Sequence, residues 1–337
     1  MRDRARLMLC GALVGTAVVA ALVAGGGLVR ADDPNSAPNP YHVVENWAKL
    51  PQGRVWGMAI GVDIDRDGTS VWVFDRCGAK TCEGSHIAPI QKFDATGRLV
   101  VSFGSDLFNW PHGLFAAPDG TVWVTDGHGG NGKGQTVMQL AADGRVLMTL
   151  GTPGVAGTTN TTFNAPSDVV LGPAGDIFVA DGHGGDTNAR IVKFSKDGKF
   201  IRAWGSKGSG AGQFDTPHGL AMDSAGHLYV ADRANNRIQI FDQDGDFVGE
   251  WRQFGRPSGI YIRDDILYSA DSESNEKTNP PFRQGIRIGS VRDGKVTAFI
   301  AASDPKVEMP EGVAVDKDGN VFGGFTANMD LKKFVKN

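Results

Sequence analysis

The sequence predicts an all-β fold, a six-bladed β-propeller whose last blade is closed by an N-terminal strand. Three observations predict it. One motif returns six times; each copy is built of short alternating apolar runs joined by Gly-containing turns; and helix signal is essentially absent after residue 30. The motif is a Pro, two polar or small residues, an alternating run, a turn such as Asp-Gly, a second run, and Asp.

The copies are PHGLFAAPDGTVWVTD (residues 111–126), PSDVVLGPAGDIFVAD (166–181), PHGLAMDSAGHLYVAD (217–232), PSGIYIRDDILYSAD (257–271) and PEGVAVDKDGNVFGGF (310–325). VWGMAIGVDIDRDGTSVWVFD (55–75) is a degenerate first copy. Each copy except the last, 310–325, is followed by a second hairpin pattern, such as IVKFSKDGKFIRAWG (191–205). Two hairpins make a four-stranded antiparallel blade. Units repeating at roughly 40–55 residues fit a ring. The sixth copy ends with LKKFVKN (331–337), only a third strand, and YHVVENWAKL (41–50) can supply the fourth. That closure removes an exposed sheet edge.

The chain organises as a signal peptide (1–31), a short flexible linker, DDPNSAPNP (32–40), and the propeller (41–337). Arg2, Arg4 and Arg6 precede an apolar stretch over residues 7–29, and Val29-Arg30-Ala31 suits cleavage. An uncleaved anchor is the alternative, because the stretch is long enough to span a bilayer. Cys10 lies too early for a lipoprotein box. A secreted or periplasmic protein is expected, monomeric and without stable membrane association after cleavage. Cys77 and Cys82 remain as an even pair, which in an exported chain suggests a disulfide, a metal role being the minor alternative for two thiols with no neighbouring ligand pair. A net charge of −4 and the lack of a basic stripe argue against nucleic-acid binding.

Structural positions repeat from blade to blade, whereas functional positions break the repeat. The residue after the motif's Pro opens the innermost strand, near the axis. Around the ring it reads Trp56, His112, Ser167, His218, Ser258, Glu311. Repeats two, four and six are related by about 120° in a six-fold ring, so His112, His218 and Glu311 should converge. Two imidazoles and a carboxylate suit Zn²⁺, with Fe²⁺ as the second choice. The residue after the closing Asp reads Arg76, Gly127, Gly182, Arg233, Ser272, Thr326, and the two arginines can hold an anionic oxygen. Repeats two and three share the insertion DGHGG, which leaves His128 and His183 on Gly-flanked loops; His183 is the candidate acid or base. Asp63, Asp65 and Asp67 hint at calcium but read better as a hairpin turn.

These segments carry a resemblance. WGSKGSGAGQFDTPHGLAMDSAGHLYVADRANNRIQIF (204–241) resembles the NHL repeat, and the likeness extends over nearly all of residues 41–337. NWPHGLFAAPDGTVWVTD, APSDVVLGPAGDIFVADGHGGDTNARIVKFSKDGKF, TPHGLAMD and VADRANNRIQ are most similar to peptidyl-α-hydroxyglycine α-amidating lyases. The resemblance implies an axial zinc held by three histidines, of which His112 and His218 match and Glu311 replaces the third. It implies that Arg76 and Arg233 contact the substrate and that His183 stands where the family has its catalytic tyrosine. A family calcium site is doubtful, because Gly312 occupies its Asp position.

The expected partner is a small molecule or peptide ending in an α-hydroxyglycine-like group. The family's hydroxylating domain is not found in the sequence, so such a substrate is expected to come from elsewhere. The competing readings are a propeller metallohydrolase or lactonase, usually calcium-dependent, and a non-enzymatic binding propeller. The His-His-Glu column discriminates, because a scaffold has no use for it.

Overall fold

The computed structural model describes residues 33–337, so the expected signal peptide, 1–31, lies outside the described residues. Twenty-four strands form six four-stranded antiparallel sheets. The innermost strands begin at Ala59, Pro111, Pro166, Pro217, Pro257 and Pro310, and each packs on the next around a closed ring. The first strand, Tyr41–Val44, pairs antiparallel with the last, Asp330–Lys336, as the outermost strand of blade six. It is shorter than the alternation in 41–50 suggests. Trp47 lies beyond it, buried, with its ring 4.9 Å from that of Phe322. Among the described residues, no helix is long and apolar enough to cross a membrane.

The period-2 pattern places one apolar face of each sheet against each neighbouring sheet. Six clusters result, one at each blade interface. Phe178, Phe214 and Phe241, for example, fill the interface between blades three and four and are fully buried. Each contributes about 1.5–3 kcal/mol by leaving water.

The motif's closing Asp ties each blade to the loop that enters it. Asp126 accepts the backbone N–H groups of Asn109 (2.8 Å) and Trp110 (2.5 Å). Asp181, Asp232 and Asp271 accept from Asn164, Asp215 and Arg256, and are paired with Arg190, Arg237 and Arg287. Asp75 does the same in blade one, with Gly57 and Arg54. Burial raises Asp126 and Asp181 to about 6 despite these bonds.

Asp65 and Asp67 form the hairpin turn in blade one, whereas Asp63 lies in the strand before it. Asp67 accepts N–H groups of Thr69 and Ser70, and Asp65 pairs with Lys92 (2.8 Å). Asp63 instead reaches across to the Ala116 N–H of blade two (2.7 Å). The linker segment is not loose where it is described. Asn35 accepts from Arg283 and Arg287 and donates to the Pro281 carbonyl, while the Pro38 carbonyl accepts from Phe299, so this stretch is fastened to blade five. Cys77 and Cys82 form a disulfide in the loop that follows Arg76.

Candidate metal centre

The axial side chains are aimed by a repeated irregularity. Pro111, Pro166, Pro217, Pro257 and Pro310 stand opposite Asp126, Asp181, Asp232, Asp271 and Phe325, and in every blade the register shifts immediately afterwards. The residue after the Pro therefore falls at a β-bulge, which turns its side chain out of the normal alternation. His112, His218 and Glu311 sit at three of these bulges, all buried. Blade one corrects the sequence alignment. Ala59 stands opposite Asp75, so Ile60 occupies the column, not Trp56. Trp56 packs on Phe93 instead, with ring centroids 5.6 Å apart. The degenerate copy has no Pro, and the apparent motif start is displaced by four residues.

His112, His183, His218 and Glu311 each offer a donor atom, and these atoms lie within 4.8 Å of one another. His218 Nε2 is 3.0 Å from Glu311 Oε1 and 3.1 Å from His183 Nε2. The Nδ1 atoms of His112 and His218 face the carbonyl oxygens of Ser167 (2.6 Å) and Ser258 (3.1 Å). A carbonyl only accepts, so each Nδ1 carries the hydrogen and each Nε2 presents a lone pair in the neutral ring. His112 Nε2 is buried without a hydrogen-bond partner among the described residues. An orphaned buried lone pair costs free energy unless a cation or proton meets it. Nitrogen and carboxylate donors with carbonyls fixing the imidazoles are the chemistry of a zinc or iron site, and the residues fit such an ion.

Burial lowers the basicity of all three imidazoles; neighbouring positive groups push His112 and His183 further down, and Arg233 does so for His218. Glu311 is held ionised despite its burial, because His218 and Arg233 surround it. His183, on its Gly-flanked loop, is partly buried and drawn into the cluster. Its ring lies 4.8 Å from that of His112 and 4.9 Å from that of His218.

Arg76 and Arg233 flank the cluster. Arg233 Nη1 is 3.3 Å from Glu311 and 3.5 Å from Glu273, and its Nε is buried without a partner. Arg76 donates to the Pro111 carbonyl (3.0 Å) and has no carboxylate within pairing distance among the described residues. Its guanidinium lies 3.8 Å over the Trp110 ring, and burial lowers it to about 10. The sequence reasoning missed Trp110. Its ring is 5.0 Å from His112, 4.1 Å from His128 and 4.9 Å from His183, so one indole braces Arg76 and three imidazoles. The available signal was its place directly before Pro111-His112.

A cavity of about 300 Å³ runs along the axis from His112, His218 and Glu311 toward the hairpin-turn face, where Pro118 and Met222 line it. Halfway down, Asp168 accepts the Leu220 N–H of the next blade (2.8 Å). At Gly312, a Cβ would run into the Ile60 carbonyl oxygen and lie 3.2 Å from a Val62 methyl carbon. That backbone position has no room for an aspartate.

Fold and axial cluster together define a propeller with ligand-type side chains drawn from alternate blades. The NHL repeat family profile matches residues 214–241. NHL repeat-containing protein 3 of Homo sapiens is 30% identical over 310 residues, which cover 88% of this chain and 84% of that protein. Peptidyl-glycine alpha-amidating monooxygenase B of Xenopus laevis is 34% identical over 300 residues, covering 82% of this chain and 33% of that protein. Peptidyl-alpha-hydroxyglycine alpha-amidating lyase 1 of Drosophila melanogaster is 28% identical over 274 residues, covering 72% of this chain and 47% of that protein. The chain spans about a third of the monooxygenase and about half of the lyase. It belongs to the NHL repeat family.

Proposed function

We propose that the chain is an exported, metal-dependent lyase that cleaves the carbinolamide C–N bond of an α-hydroxyglycine-type substrate. The observation that carries the reading is the buried cluster of His112, His218 and Glu311, closed by His183 and flanked by Arg76 and Arg233. The names of two relatives, an amidating monooxygenase and an amidating lyase, support the same chemistry.

His112, His218 and Glu311 would hold zinc, or iron as the second choice. Bound there, the metal supplies Lewis-acid polarisation of a substrate oxygen. Arg76, which has no acidic partner among the described residues, binds the substrate carboxylate, and the buried Nε of Arg233 offers a second donor. His183 takes the hydroxyl proton, the C–N bond breaks, and the same proton passes from His183 to the leaving amide nitrogen. The products are an amide and glyoxylate, so atoms balance without a redox partner. Trp110 keeps Arg76 and the imidazoles in place through direct ring contacts. The disulfide fits an oxidising compartment, which supports export.

The test is metal analysis of the purified protein, paired with glyoxylate release from an N-acyl-α-hydroxyglycine. About one zinc or iron per chain is expected, with both metal and release lost in the His112→Ala/His218→Ala double variant. A protein that takes up no metal on reconstitution overturns the reading and leaves a binding propeller.

A further inference from the structure

The four donors of the cluster are not held alike. His112, His218 and Glu311 project from bulges at the starts of innermost strands, where every backbone is braced by two neighbours. His183 projects from a loop, between Gly182 (φ 142°) and Gly184 (φ 81°), with Gly185 (φ 57°) following. Positive φ is accessible to glycine at little cost, so this segment can change course where a strand cannot. The loop is tied at its far side by Thr187, whose Oγ accepts the His183 N–H (2.8 Å) and donates to the Gly184 carbonyl (2.6 Å). The hinge is therefore local, with His183 at its tip.

The rings differ in the same sense. His112 and His218 each have Nδ1 anchored on a carbonyl of the adjacent blade. Among the described residues, the His183 ring makes a single polar contact, from Nε2 to His218 Nε2 at 3.1 Å. That contact is not a stable pair by itself. His218 Nε2 also faces Glu311 Oε1 at 3.0 Å, and Ser258 claims its Nδ1 hydrogen. One neutral imidazole cannot donate from both nitrogens. Nε2 atoms of two rings and a carboxylate oxygen crowded together are the arrangement expected of donors sharing one cation. His183 is also the one member of the four that is only partly buried.

We propose that His183 is a fourth, exchangeable metal donor. It closes the site at rest, and a carboxylate ligand displaces it, freeing the imidazole to work as a base. This rests on the metal-dependent reading above. It explains how one residue serves in two roles, and why the loop that carries it is rich in glycine while the strands that carry the others are not. Fixed donors retain the ion; the hinged one regulates access to it.

The test uses the whole protein loaded with Co²⁺, whose coordinated imidazoles give hyperfine-shifted N–H proton resonances. The wild type is expected to show N–H signals from His112 and His218 that exchange slowly, because both are hydrogen-bonded to carbonyls, and a third that exchanges fast. Saturating glyoxylate should abolish the third and leave the other two. His183→Ala should show only the slow pair, with or without glyoxylate, at unchanged cobalt content.

A wild-type spectrum without the third signal overturns the donor role, and a third signal that persists at saturating glyoxylate overturns the exchange. The wild-type titration stands alone should the variant fail to fold. Cobalt content, measured on the same samples, separates these outcomes from failure of the metal reading, in which no stoichiometric cobalt is bound at all.

Discussion

The even-numbered blades carry His112, His218 and Glu311 where the odd-numbered blades carry Ile60, Ser167 and Ser258, on one and the same bulge. The backbone is shared, so the difference lies in what each set contributes. Even blades supply side-chain donors. Odd blades three and five supply backbone carbonyls, which fix the tautomer and orientation of the histidine in the preceding blade. The pairing has a gap at the seam between blades six and one, because Glu311 needs no tautomer and Ile60 contributes none. Glu311 is steadied instead by Arg233, the residue that follows blade four's second strand. Division of labour between alternate blades therefore follows from the chemistry of imidazole, which must be told which nitrogen to protonate.

The sharpest way to break this division is Glu311→Gln. The amide keeps the shape but removes the charge that His218 and Arg233 surround. Leaving a buried cation short of its partner costs about 3–5 kcal/mol, softened here because Glu273 also lies 3.5 Å from Arg233. Urea unfolding should register a loss on the order of 3 kcal/mol, and metal content should fall well below one per chain. Full stability with full metal occupancy would remove Glu311 from the donor set and leave the histidines alone.

Most of the ring was legible because repeats impose it. A Pro-to-Asp motif returning six times fixes blade number, and the incomplete last copy calls for the N-terminal strand. The convergence of His112, His218 and Glu311 was legible for the same reason, since equivalent positions in alternate repeats must face one axis. Three things were not. Blade one lacks the Pro, so the motif points to Trp56 where the Ala59–Asp75 register selects Ile60. His183 is legible as a candidate acid or base but not as a member of the donor cluster, because how far a loop reaches depends on tertiary packing that no repeat encodes. Trp110 precedes the repeated motif, so no repeat column contains it, yet it lies under Arg76 and beside three imidazoles.

A smaller effect is expected in blade three, whose Asp168 breaks a column otherwise held by glycine. Its two oxygens accept the N–H groups of Val169 (2.9 Å) and Leu220 (2.8 Å), stitching blade three to blade four. Burial nevertheless raises it to about 7, with the charge of Asp63 adding to the rise. Between its unfolded value near 4 and about 7 the folded protein holds a proton that the unfolded chain has released. Stability from this group is therefore full in acid and is lost as pH rises through 7. Asp168→Asn should flatten the stability profile between pH 4 and 7 by up to about 1.4 kcal/mol per pH unit. An unchanged slope in urea melts at pH 5 and pH 8 would show that the two N–H bonds keep the carboxylate ionised.

The least effect is expected where the sequence suggested a polar side chain at the axis. Among the described residues, Ser258 Oγ meets only Ser272 Oγ, at 2.7 Å, while the Ser258 carbonyl accepts from His218. If odd blades act through their backbone, Ser258→Ala leaves that acceptor intact and removes one buried hydroxyl pair, a cost of about 1 kcal/mol. Metal content and glyoxylate release should then stay within about twofold of wild type, since less than about 0.4 kcal/mol separates rates that differ by two. A tenfold loss in either, with folding preserved, would mean that the hydroxyl itself orients His218 or touches the substrate. The serines would then join the site as side chains, and the odd blades would cease to be a purely backbone scaffold for the even ones.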